Sequence, residues 1–129
     1  VGSGQIAKLA NQLIVATTIG AVAEGLRLAQ AAGCDPALVR EALQGGFADS
    51  RILDLHGHRM VNGDFVPGGR SAAQLKDIDN ALAVAQSVGI DLPLSNQIAA
   101  GFRDLVSAHN GADLDHSAYY QWLMWRQKS

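Results

Sequence analysis

The opening of the chain constrains its fold more than any other feature. From about Ser3 to Ala32 there is no proline, good helix formers follow one another, and no charge stands between Lys8 and Glu24. Such a run predicts one helix of roughly 45 Å at about 1.5 Å per residue, stopped by Gly33 and Asp35-Pro36. Leu9, Leu13, Ile14, Val15, Ile19 and Val22 spread over several faces, so the helix is expected to be buried nearly all round. A chain of 129 residues offers such a rod few neighbours of its own, and a second subunit is expected to cover part of it. The competing reading is a bilayer span. Asn11, Gln12, Thr17, Thr18 and Gly20 interrupt a stretch shorter than the ~18 to 20 apolar residues required, so no membrane partner is expected.

Five further helices follow from start and stop signals. Asp35 as N-cap with Pro36 at the first position opens a helix that points Leu38, Val39, Ala42 and Leu43 inward and ends at Gly45-Gly46. A third runs from about Ser50 to Val61, a fourth from about Ser71 to Val88, and a fifth from Pro93 or Ser95 to about His109. The sixth starts at Asp115 or His116 and carries Tyr119, Tyr120, Trp122 and Trp125. No window alternates at period two and no repeat is visible, so the expectation is one all-α domain of about six helices around a long central one.

Charge and cysteine content exclude several classes. Ten basic against twelve acidic residues, a formal net charge of −2, give no basic field for a phosphate backbone, and nucleic acid is not expected as a partner. The lone Cys34 forms no internal disulfide. Nothing at the start reads as a secretion signal, so a cytoplasmic location is expected. A chain beginning Val1-Gly2-Ser3-Gly4 also fits a piece of something longer.

Among residues that carry chemistry, Lys8 stands out. At about 100° per residue, Asn11 and Gln12 flank it at about 60° to one side and 40° to the other, so an ammonium and two amides share one helix face. Gly2 and Gly4, just before, let a ligand approach the backbone where free N–H groups favour a carboxylate. Either Lys8 solvates a helix end, or it stands at a cleft where desolvation tunes it for proton exchange. Lys76-Asp77, after the Phe65-Val66-Pro67-Gly68-Gly69 loop, reads either as a solvated helix edge or as a contact to a cofactor. His56 and His58, two apart, point in different directions on a helix, and no metal site is expected from sequence. Asp115-His116-Ser117 reads as a helix cap.

Taken in order, these landmarks resemble a known family. Gly2-x-Gly4-x-x-x-Lys8 followed by Asn11, then Gly45-Gly46 with Ser50 and Leu53-Asp54, Phe65-x-Pro67-Gly68, Leu75-Lys76-Asp77, Leu92-Pro93-Leu94 and Asp115-His116-Ser117-Ala118 are similar to the C-terminal helical domain of the β-hydroxyacid dehydrogenases, along essentially the whole chain. The resemblance implies a fold like the C-terminal domain of 6-phosphogluconate dehydrogenase and a homodimer or higher assembly. It also implies a Rossmann domain preceding Val1 that binds most of the NAD or NADP. Lys8 would be the acid/base during hydride transfer, Gly4 with Asn11 or Gln12 the substrate-binding group, and Lys76 with Asp77 the cofactor wall. The Gly-Gly, Leu-Asp and Asp-His-Ser-Ala pieces look most like 2-hydroxy-3-oxopropionate reductases. Many members place Asn where this chain has Gln12, and Phe and Leu where it has Gly69 and Ala73, which implies a wider or more mobile cleft. The alternative is a non-catalytic dimerisation or binding module of the same fold.

Overall fold

A computed structural model describes residues 2–127. Its order is α1 (Ser3–Ala31), α2 (Pro36–Leu43), α3 (Arg51–Asn62), α4 (Ser71–Ser87), α5 (Pro93–Ser107), a 3-10 turn (His116–Ala118) and α6 (Tyr119–Gln127). The expected all-helical class and order hold. Asp35 and Ser50 cap as read, their side chains accepting from the Ala37 and Leu53 backbone N–H groups. After α4, Gly89 takes φ 78°, which only a residue without Cβ adopts freely, and the Ile90 N–H closes back on the Ala85 carbonyl.

α1 runs through the centre and touches every other helix. It buries Ala16, Ile19, Gly20, Ala23 and Leu26 against Met60 of α3, Ile78 of α4, Ile98 and Phe102 of α5, and Tyr119, Tyr120 and Trp122 of α6. By length and composition α1 is long and apolar enough to cross a bilayer, contrary to the sequence count. Of that apolar window 22% is buried within this chain, so the stripe facing the core accounts for only part of its composition.

Two expectations about burial need correction. α1 is not enclosed all round: Ile6, Ile14 and Leu28 are exposed, because five short helices cannot wrap a 29-residue rod. In α2, Leu38 and Ala42 face outward while Val39 and Leu43 are half-buried. The inward position goes instead to Arg40, whose guanidinium donates to the Leu53 and Asp54 carbonyls and pairs with the Asp54 carboxylate. The last helix is also divided, a 3-10 turn capped by Asp115 leading into α6. That cap stitches the 65–70 loop to the 112–116 segment: Ser71 N–H donates to the Leu114 carbonyl at 2.8 Å, Asp115 N–H to Phe65 at 3.0 Å, and His116 N–H to Gly69 at 2.7 Å.

Candidate functional site

The first turns of α1 lie beside the first turns of α4, and the residues singled out from sequence lie where the two meet. Gln12 is half-buried and its Nε2 donates to Asp77 Oδ2 at 2.7 Å. Asn11 is exposed and its Nδ2 donates to Gln12 Oε1 at 3.0 Å. Gln74, three residues before Asp77 on α4, donates to the Gln12 backbone carbonyl at 3.3 Å. One residue of α1 is thus held by two successive contacts from α4, side chain to Asp77 and main chain to Gln74.

Lys8 stands one turn before this junction on the same face of α1 and is exposed. Lys76, next to Asp77, is exposed as well, and a Cβ at Gly4 would meet nothing within 4 Å. The cleft expected around Lys8 is not closed by this chain. The chain supplies one wall, the junction of α1 and α4, with Lys8, Asn11 and Lys76 exposed around it. An exposed ammonium with amides on the same helix face is chemically able to bind an anionic, oxygen-rich group.

Behind the wall is a polar junction that local sequence reasoning did not assemble. His116 bonds Gln74 through Nδ1 and Oε1 at 2.8 Å, so Gln74 bridges the 3-10 turn to Gln12. Asp115 is fully buried, accepting from the Gly68 and Gly69 N–H groups through Oδ1 and from the Ser117 N–H and hydroxyl through Oδ2. Arg59 approaches its carboxylate at 3.7 Å. Burial alone would raise the Asp115 carboxyl, but the donors from Ser117, Gly69 and Gly68 prevail and hold it at about 2. The His116 imidazole is brought down to about 4, chiefly by burial, against the pull of Asp115; His56 is lowered for the same reason.

His56, Asp115 and His116 bring ligand-type atoms within 4.8 Å of one another, a grouping the His56/His58 spacing could not reveal. The Asp115 carboxylate is already engaged by four donors, whereas His56 Nδ1, buried and 3.8 Å from Asp115 Oδ2, has no hydrogen-bond partner among the described residues. The only local signal was the Asp-x-Ser cap; the pairings to Gln74 and Gly68 span 42 and 47 residues. The space expected from Gly69 is taken up, since a Cβ there would lie 3.1 Å from the His116 ring.

A long central helix presenting lysine and paired amides, locked to a second helix through an Asp that follows a lysine, defines a helical domain of dehydrogenase type. Residues 2–123 match the family profile described as NAD-binding of NADP-dependent 3-hydroxyisobutyrate dehydrogenase, and the chain belongs to this hydroxyacid dehydrogenase family. It is 47% identical over 122 residues to the 2-hydroxy-3-oxopropionate reductase of Escherichia coli (strain K12), covering 95% of this chain and 41% of that protein. A Mycobacterium tuberculosis 3-hydroxyisobutyrate dehydrogenase solved with L-serine superposes with a TM-score of 0.86 at 26% identity, over 95% of this chain and 44% of that one. For the fold alone, a Salmonella typhimurium 3-hydroxyisobutyrate dehydrogenase gives 0.88 at 24% identity, over 93% and 42%. The chain therefore spans about two fifths of the length of the proteins it matches.

Proposed function

We propose that this chain is the substrate-side domain of an NAD(P)-dependent reductase of small 3-oxo and 3-hydroxy acids, of 2-hydroxy-3-oxopropionate reductase type, completed by a Rossmann domain N-terminal to Val1. The observation that carries the reading is the joining of Gln12 to Asp77 at 2.7 Å, with Asn11 on Gln12. Two sequence-distant motifs of the family are thereby joined, and Lys8 and Lys76 stand exposed on the helices that carry them. The 47% identity to a protein of that name supports the substrate class. So does the L-serine, itself a 3-hydroxy acid, named with the Mycobacterium structure.

Lys76 suits the anionic part of a dinucleotide and Asp77 lies beside it. An all-helical chain has no strand-glycine-helix cradle for phosphates, so these residues fit one wall of a cofactor site and the other contacts fall to the Rossmann domain. When bound, the nicotinamide supplies or accepts the hydride. Lys8 gives the substrate carbonyl oxygen its proton as that oxygen becomes a hydroxyl, and takes the proton back in the oxidative direction. Asn11, Gln12 and the free N–H groups near Gly4 orient the substrate and its carboxylate. The reading includes a cytoplasmic setting, no membrane or nucleic-acid partner, and a homodimer or higher assembly through the exposed face of α1.

Lys8→Ala in the full-length protein is expected to lower turnover of 2-hydroxy-3-oxopropionate by about 10²- to 10⁴-fold with an unchanged helical circular dichroism spectrum. NAD(P)H oxidation measures it. Wild-type turnover in the variant would remove Lys8 from the chemistry and favour the non-catalytic module.

A further inference from the structure

Gln12 and Asn11 are amides, and an amide has two unlike ends. The carboxylate of Asp77 has only acceptor sites to offer. Gln12 must therefore turn its NH2 towards Asp77, as the 2.7 Å contact has it. That leaves Gln12 Oε1 on the other side, where it takes the Asn11 NH2 at 3.0 Å. The Asn11 carbonyl oxygen is then directed away from the pair. Each group fixes the sense of the next, and the order begins at Asp77. The base of the relay is held rigid, because the Gln12 backbone is gripped by Gln74, which is 3% exposed and bonded in turn to His116.

We infer that Asp77 is a positioning residue whose acceptor-only carboxylate sets the sense of both amides, so that Asn11 presents an acceptor oxygen to a hydrogen-bond donor on the substrate side. On the Lys8 face that donor is a hydroxyl of the bound acid or the Lys8 ammonium one turn away. Gln12, with one N–H on Asp77 and its oxygen on the Asn11 NH2, is the link between them. This inference rests on reading that face as the substrate side, and it gives Asp77 a role exercised through side chains, in addition to its place on the cofactor wall.

Asp77→Asn tests it in the full-length protein, because an asparagine of the same size can donate as well as accept and so releases the constraint on both amides. The expected result is a loss of about 10- to 100-fold in kcat/KM for the 3-hydroxy acid, with the thermal midpoint little changed. Asp77→Glu, which restores an acceptor-only group, is expected to recover part of the loss. In an Asn11→Ala background Asp77→Asn is expected to cost almost nothing further, although the two residues do not bond each other. An equal loss in both backgrounds, or no loss at all, overturns the inference. Should the wild type transfer no hydride, the proposed function fails and the relay is judged separately: in protein 15N-labelled at asparagine, Asp77→Asn should shift the Asn11 side-chain NH2 resonances. Unmoved resonances would overturn the relay itself.

Discussion

Asp115 gathers two backbone N–H groups from the 68–69 loop and two donors from Ser117, and its consequence is readable in acid. Between the ordinary histidine value of 6.5 and about 4 for His116, the unfolded chain binds a proton that the folded one refuses, so stability falls as pH falls. His56 is shifted the same way. Between 3.8 and about 2 the same holds for Asp115, and its contribution, complete above the upper value, is lost going down. Urea unfolding at a series of pH values is expected to show two successive declines, with His116→Gln flattening the upper one. An unchanged slope in that variant would mean that His116 does not carry it. At this scale Lys8, Asn11, Gln12, Lys76 and Asp77 could be singled out because they sit in short motifs, and the structure joins Asn11, Gln12 and Asp77 while leaving Lys8 and Lys76 exposed. Gln74 was not: nothing local distinguishes one glutamine on α4, and its value comes from partners 62 and 42 residues away.

α5 approaches α1 and α6 through glycines in place of larger residues. A Cβ at Gly101 would lie 2.7 Å from the Tyr119 ring, and one at Gly20 would lie 2.4 Å from the tip of Ile98. Alanine is the better helix former by up to about 1 kcal/mol, yet Gly101→Ala is expected to destabilise by about 1–3 kcal/mol, because the added methyl must displace an aromatic ring packed on Phe102 and Trp122. Denaturant titration reads the sign; a gain in stability would show that Tyr119 yields. The helix boundaries were legible from caps and glycine stops, since these act over a few residues. The direction each helix faces was less so. Leu38 and Ala42 lost the inner side of α2 to Arg40, whose long side chain finds the carbonyls at the start of α3, a contact that apolar periodicity does not encode.

For the molecule as a whole, the outward face of α1 is a seam of Ala7, Ala10, Ile14, Ala21, Gly25 and Leu28, all exposed, with Ile14 at 65% and Leu28 at 73%. These positions fall within about 40° of one line on a helix, and small residues allow close approach. If this face meets a second copy, Ile14→Glu with Leu28→Glu is expected to halve the mass or more in light scattering while leaving helicity intact. Undiminished mass would place the contact elsewhere. The expectation that α1 is buried nearly all round thus failed for one chain: composition reports what a helix needs covered, without saying which molecule covers it.

Tyr120 donates to Gln30 at 2.9 Å across 90 residues of sequence, and the aromatic cluster of α6 closes over the middle of α1. At about 5–20 residues per second, the ribosome delivers the covering helix roughly 5 to 20 s after the rod it must shelter. For that interval the most oily segment of the polypeptide waits for its own last turn to be made.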